Sequence, residues 1–101
     1  MRKSIHSDSV NQLLDAVLTL QNREECLTFF KDICTVNELN SLSQRFDVGV
    51  RLLQNQTYQE IAKATGASTA TISRVNRLLG DENDGIEMAA ERLGLHAGEK
   101  E

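Results

Sequence analysis

Residues 60–79, "EIAKATGASTATISRVNRLL", decide which fold this chain is predicted to adopt. A helix-turn-helix requires a small residue where its second helix crosses the first, and Ala62 meets that requirement. The turn requires a residue that tolerates positive φ, and Gly66 follows four positions later. Ile72, six positions after the glycine, would then anchor the second helix in the core. These offsets predict a helix-turn-helix at about 57–79.

The second helix of this motif has two chemically different faces when its residues are placed at 100° steps. Ile72, Val75 and Leu79 share the inner face, and Ile61 of the first helix joins them in the predicted core. The opposite face is small, hydroxylic and basic, and it consists of Ala70, Ser73, Arg74 and Arg77.

Each residue type on the outer face suits a particular part of double-stranded DNA. Thr69 and Ala70 suit a thymine methyl group, whereas the arginines suit guanine edges or phosphates. Gln59 and Lys63 stand one turn apart on the first helix and suit contacts with the phosphate backbone. The predicted DNA-binding residues are Gln59, Lys63, Ser68, Thr69, Ala70, Ser73, Arg74 and Arg77. The alternatives are a merely solvated helix face and a helix-turn-helix that docks on another protein.

The charge of the chain is unevenly distributed, although the total is −4. Residues 51–80 contain four Lys/Arg and a single acid, Glu60, whereas residues 81–101 contain two Lys/Arg and seven acids. Because salt screens charges beyond about 10 Å, a nucleic acid responds mainly to the local field. The motif therefore lies in the one segment whose charge favours DNA.

Helical periodicity continues outside the motif, and no alternation typical of strands is present. The predicted helix starts are Ser9 (with Gln12 in a capping box), Asn22, Thr35, Thr57 and Ser68, followed by a short last helix at Ile86 to Leu93. The prediction is an all-α fold of six helices. It comprises a flexible tail at 1–8, one helical domain at 9–94 and a polar tail at 95–101.

Other classes of function find little support in the sequence. No apolar run approaches the roughly 20 residues that span a bilayer, and no targeting signal is visible, so we expect a cytoplasmic protein without membrane contact. Cys26 and Cys34 are eight apart without a CxxC pattern, which favours reduced core thiols over a disulfide or metal site. The acidic residues at 81–84 lack the spacing of a calcium loop. We expect no catalytic residues, metal or cofactor.

The segment from Thr35 to Leu79 resembles the Trp repressor family. The resemblance rests on "LSQR", "RLL", "EIA", "TGAS" and "ATISR", and the closing "IEMAAERLG" is similar to the YerC/YecD branch of Trp-repressor-like proteins. It implies an intertwined, all-helical homodimer that presents two recognition helices to a palindromic operator. The apolar helices at 9–33 would interlock with those of a second subunit.

The same resemblance implies a pocket for a small-molecule effector. Arg45 and Arg74 match the two arginines that sandwich the corepressor indole in the family, but Val75 stands where the family has a glycine. The implied pocket comprises Thr35, Arg45, Thr71, Arg74, Val75 and Leu78, with Leu78 in place of a serine that holds the ligand's amino group. Crowding by Val75 predicts no useful affinity for tryptophan. Either the valine substitutes for the ligand, or a smaller effector uses the arginines.

The leading hypothesis is thus a sequence-specific transcriptional regulator, most simply a repressor, which binds DNA as a dimer. The competing hypothesis is a protein-interaction module without DNA binding. Salt-dependent binding to duplex DNA would separate the two.

Overall fold

The computed structural model describes residues 7–80 and 84–95, and these residues form six α-helices and no strand. The helices are α1 (Asp8–Leu18), α2 (Arg23–Ile33), α3 (Val36–Leu53), α4 (Tyr58–Thr65), α5 (Thr69–Leu79) and α6 (Gly85–Arg92). The predicted all-α, six-helix fold is confirmed. No helix in these ranges is long and apolar enough to cross a membrane.

Four of the five predicted N-terminal caps are present, because each residue places a side-chain oxygen over the free N–H groups of the first turn. The Asn22 Oδ1 atom accepts from the Glu25 N–H at 2.8 Å. Thr35 and Glu38 bond reciprocally, at 2.9 and 3.0 Å, in the capping box expected at the start of α3.

The cap predicted at Ser9 is wrong, since α1 is capped by Ser7. The Ser7 Oγ atom accepts from the Val10 N–H at 3.1 Å, and Ser7 has the extended backbone that a cap requires. Asp8 then lies in the first turn, where its carboxylate complements the helix dipole. Helix α1 therefore begins within the segment predicted as a tail.

The last helix begins at Gly85, one residue before the predicted Ile86, with Asp84 as its N-cap residue. Three stretches lie outside the described ranges: residues 81–83 between α5 and α6, residues 1–6 of the predicted N-terminal tail and residues 96–101 of the predicted C-terminal tail.

The chain divides into two compact units, one up to Leu39 and one from Asn40 onward. In the first unit, no residue of α1 or α2 is buried. Large apolar side chains remain uncovered: Leu13, Leu14, Leu27 and Ile33 are 42–53 % exposed and Leu18 is 82 % exposed. Cys26 and Cys34 are free, half-buried thiols. These two helices thus expose an apolar side.

The second unit contains the hydrophobic core, which lies between α3, α4 and α5. The buried residues of this cluster are Val48, Ile61, Ala67, Ile72 and Val75, and Leu52, Tyr58, Ala62 and Ile86 pack against them. Ile61, Ile72 and Val75 are core residues that the sequence predicted, whereas Leu79, predicted on the same inner face, is half-buried and lies outside this cluster. Burial on this side fixes which side of the motif faces solvent.

Gly49 on α3 permits a close approach of α6 that the sequence analysis did not anticipate. A Cβ atom at Gly49 would lie 2.8 Å from Cδ1 and 2.9 Å from Cγ2 of Ile86. It would also lie 3.6 Å from Cγ1 of Val75. The site of the missing methyl group is therefore shared by side chains from α5 and α6.

Candidate nucleic-acid interface

The helix-turn-helix consists of α4 and α5 and a short turn around Gly66. At the start of α4, Thr57 and Glu60 form a complete capping box, with N···O distances of 2.8 and 3.1 Å. At its end, Gly66 adopts φ 75°, a left-handed conformation that glycine reaches without a Cβ clash. The turn glycine predicted from the sequence is confirmed.

The two helices are held together by the residues predicted to do so. Ile61 and Ile72 are fully buried, and Ala62 packs against the same core. The Ser68 Oγ atom caps α5 by accepting from the Thr71 N–H at 3.1 Å, and its hydroxyl donates to the Thr71 Oγ1 atom at 3.2 Å. The orientation of α5 is therefore set by a buried side and a capped N-terminus.

All eight residues predicted to bind DNA are exposed, and they lie on the two helices of the motif or in its turn. They are Gln59 and Lys63 on α4, Ser68 at the cap, and Thr69, Ala70, Ser73, Arg74 and Arg77 on α5. The hydroxyl of Ser68 also caps α5.

The basic side chains of this surface have no acidic partner among the described residues. Within residues 7–80 and 84–95, Lys63, Arg74 and Arg77 form no ion pair. The ion pair on α3 joins Arg51 Nε to Asp47 Oδ1 at 3.0 Å and leaves these three cations free. Free cations on an exposed helix are the groups that neutralise phosphates or reach guanine edges.

The residues of the implied effector pocket have very different environments. Arg45 and Arg74 are exposed, Thr71 is half-buried and Leu78 is 48 % exposed. Val75 is only 2 % exposed and belongs to the hydrophobic core. Thr35 belongs to the first unit, where its hydroxyl is used in capping α3.

Two open depressions on the surface of the described residues are lined by other side chains. One of about 510 Å³ in the first unit is lined by Leu20, Glu24, Glu25, Thr28, Phe29 and Asp32. One of about 390 Å³ in the second unit is lined by Ser43, Phe46, Asp47, Val50, Arg51, Gln54 and Leu95. Neither contains a residue of the implied pocket. Among the described residues, no group of three or more His, Cys, Asp or Glu is arranged to hold a metal ion.

Two residues that determine the geometry of this surface could not be recognised from the sequence as functional. Gln44 on α3 donates a hydrogen bond to the carbonyl of Thr65, and Gly49 admits α6 beside Val75. The glycine carried a signal, because glycine inside an amphipathic helix costs about 1 kcal/mol relative to alanine and usually marks a close contact. The glutamine carried none, since a polar residue on a helix is ordinarily solvated.

Comparisons with known proteins agree with this geometry. The model of the family described as Trp repressor protein matches residues 8–94. The chain is 47 % identical to "Uncharacterized protein YerC" of Bacillus subtilis (strain 168) over 89 residues, which are 88 % of this chain and 86 % of that protein.

Two solved structures are also similar. A TrpR-like protein from Eubacterium eligens ATCC 27750 superposes with a TM-score of 0.88 at 50 % identity, covering 93 % of this chain and 97 % of that one. A candidate Trp repressor from Staphylococcus aureus gives a TM-score of 0.90 at 46 % identity, covering 96 % and 100 %.

Proposed function

This chain belongs to the Trp repressor protein family, and from that premise we propose that it is a sequence-specific DNA-binding regulator of transcription. Family membership by itself suggests a DNA-binding regulator. The finer proposal is a cytoplasmic repressor that binds a palindromic operator as a homodimer.

The observation that carries the proposal is the exposed basic face of α5, whose arginines form no ion pair within the described ranges, opposite a buried apolar face. Arg74 and Arg77 stand on the solvent side of the helix whose inner side is anchored by Ile72 and Val75. In a helix-turn-helix, the second helix enters the major groove and its side chains reach base edges. Arginine pairs with O6 and N7 of guanine in a bidentate manner, which supplies sequence information.

The remaining exposed positions suit two kinds of DNA contact, those with bases and those with the phosphate backbone. Thr69 and Ala70 lie in the first turn of α5, where a methyl group can contact thymine. Gln59 and Lys63 lie on the outer side of α4 and suit phosphate contacts, which position the protein without reading sequence.

Dimerisation is supported by the uncovered apolar side of α1 and α2. Burial of apolar surface contributes about 25 cal/mol per Å², so helices with no buried residue gain most of their stabilisation from a partner. A two-fold dimer would place its recognition helices about 34–36 Å apart, one turn of DNA. Such a dimer requires an operator with two inverted half-sites.

The proposed regulator does not respond to tryptophan. Val75 fills the core beside α3 and α6, where a glycine would leave space. The Val75 side chain therefore provides permanently the kind of packing that a corepressor would provide only when bound. We infer that DNA binding is either independent of an effector or controlled by a smaller molecule that uses Arg45 and Arg74.

Selection of bound duplexes from a random pool tests the proposal, followed by titration of the winning duplex at several salt concentrations. We expect an inverted-repeat sequence, and log K falling linearly with log salt as phosphate contacts release counterions. Enrichment of no sequence, together with no salt-dependent binding, would contradict the proposal and favour the protein-interaction module.

A further inference from the structure

We propose that Gln44 is a positioning residue of the DNA-reading unit: its side-chain amide fixes the turn between α4 and α5 and thereby directs the recognition helix. This inference rests on the proposed function and deepens it, since Gln44 is not among the residues that face DNA.

The contact that carries the inference joins α3 to the end of α4. The Gln44 Nε2 atom donates to the Thr65 carbonyl oxygen at 3.2 Å, across 21 positions of sequence and in a partly buried environment. Thr65 is the last residue of α4, so its carbonyl is one of those left without a partner inside the helix. Within the described ranges, this is the one hydrogen bond from α3 to the segment 57–79.

The Thr65 side chain forms hydrogen bonds with residues before and after Gly66. Its hydroxyl donates to the Ile61 carbonyl at 2.8 Å and accepts from the Ala67 N–H at 3.1 Å. These bonds flank Gly66, whose positive φ reverses the chain, and Ala67 is only 5 % exposed. Gln44 therefore holds the residue on which the geometry of the whole turn depends.

A hydrogen bond adds a restraint on helix orientation here, because the hydrophobic effect is not directional. Ile61 and Ile72 hold α4 and α5 against the core, but the hydrophobic effect that buries them favours no particular angle. A hydrogen bond weakens steeply when its angle departs from linearity. Gln44 thus supplies an angular restraint that the hydrophobic core does not.

The functional consequence concerns discrimination between sequences more than affinity in general. Bidentate base contacts require accurate placement of a side chain, whereas phosphate contacts tolerate a small displacement. Loss of the Gln44 bond should therefore weaken binding to the correct duplex and leave non-specific binding nearly unchanged.

Gln44→Met tests this role because methionine has a similar length and no donor. The chain offers a matched control in Gln54→Met, since the Gln54 Nε2 atom also donates to a backbone carbonyl, that of Leu95, at 2.8 Å. That bond lies outside the helix-turn-helix. The measurement is the specificity ratio, defined as the dissociation constant for a scrambled duplex divided by that for a selected duplex of equal length and composition.

We expect Gln44→Met to lower this ratio about tenfold, the equivalent of losing one base contact. Gln54→Met should leave the ratio unchanged. An unchanged ratio in Gln44→Met, or an equal fall in affinity for both duplexes, would reduce Gln44 to a residue that only stabilises the fold, and the proposal would be overturned.

Hydrogen exchange at the Ala67 amide provides a second readout that needs no DNA. Because that N–H is bonded to the Thr65 hydroxyl, it should exchange faster in Gln44→Met and at the wild-type rate in Gln54→Met. Equal rates in all three proteins would overturn the positioning role. A wild-type protein without sequence preference would instead overturn the proposed function, while this exchange measurement would still show whether Gln44 holds the turn.

Discussion

The side chains of α5 fall into two groups: buried residues that pack the helix against the core, and exposed residues that are available to bind a ligand. Ile72 and Val75 are buried, whereas Arg74, next to Val75 in sequence, is exposed and unpaired within the described ranges. This alternation follows from the 100° step of the helix, so neighbouring residues can have unrelated roles.

Replacing either exposed arginine should weaken binding to a selected duplex without lowering stability. Arg74→Ala and Arg77→Ala are each expected to cost roughly 1–3 kcal/mol if the side chain contacts a base edge. Fluorescence anisotropy gives the dissociation constants. Arg92→Ala, at the end of α6, is a control for loss of charge. Wild-type affinity in both α5 variants would show that the recognition face is misassigned.

Val75 determines the response to tryptophan in the proposed mechanism. Crowding in a packed site costs about 1–3 kcal/mol, and loss of the family's serine at Leu78 costs about 1 kcal/mol. We therefore expect calorimetry with L-tryptophan to show no binding to the wild-type protein and measurable binding to Val75→Gly. Val75→Thr keeps the shape and should likewise bind no tryptophan, although its buried hydroxyl lowers the stability of the fold. Micromolar affinity in the wild type would contradict the prediction.

The turn between α4 and α5 illustrates how an element depends on one backbone conformation. Gly66 has φ 75° and open space around its Cα, so a methyl group there would meet strain without a clash. Gly66→Ala should cost about 1–2 kcal/mol of stability, because left-handed φ is unfavourable for alanine. Gly85→Ala, in open space without positive φ, should be neutral or stabilising by about 0.4–1 kcal/mol. Urea unfolding of the two variants measures the difference, and equal stabilities would contradict it.

The contact between α3 and α6 depends on the absence of a side chain. In Gly49→Ala the new methyl would overlap Ile86, so we expect α6 to move and the protein to lose roughly 1–3 kcal/mol, reduced by alanine's better helix propensity. Ile86→Ala removes the overlapping atoms. A double-mutant cycle by thermal unfolding should show that the two changes together cost less than their sum. If the losses in unfolding free energy simply add, the contact between Gly49 and Ile86 does not determine how closely α6 approaches α3.

Much of the architecture at this scale could be predicted from the sequence. Caps at Asn22, Thr35 and Thr57 have local causes, and so does the glycine turn, because the bonds involved join residues three or four apart. The cap of α1 was misassigned since several residues of "SDSV" can cap a helix. The partner of Gln44 could not be predicted, because it lies 21 residues away and depends on how α3 packs.

At the scale of the whole molecule, the two units of the chain suit different tasks. The second unit contains a buried core that supports the candidate DNA surface, whereas α1 and α2 of the first unit contain no buried residue. A protein of 101 residues with this distribution is expected to complete its folding by association.

Sedimentation equilibrium should therefore show a species of twice the 11.3 kDa chain mass at micromolar concentration. Leu18→Asp places a charge on the most exposed apolar side chain of α1 and should shift the equilibrium to monomer, because a buried unpaired charge opposes association. Asn11→Asp adds the same charge at an exposed polar position of α1 and should leave the dimer intact. A monomeric wild-type protein would remove the two-half-site model.

The uncovered apolar side of α1 and α2 also has a genetic consequence. In the proposed dimer, the surface that captures a partner lies in one unit and the basic face of α5 in the other. A subunit altered at Arg74 and Arg77 would therefore still dimerise with intact subunits. The resulting mixed dimers would bind only one half-site. An allele that has lost its recognition face would behave as dominant over the intact gene, whereas an allele with a charged residue at Leu18 would be recessive.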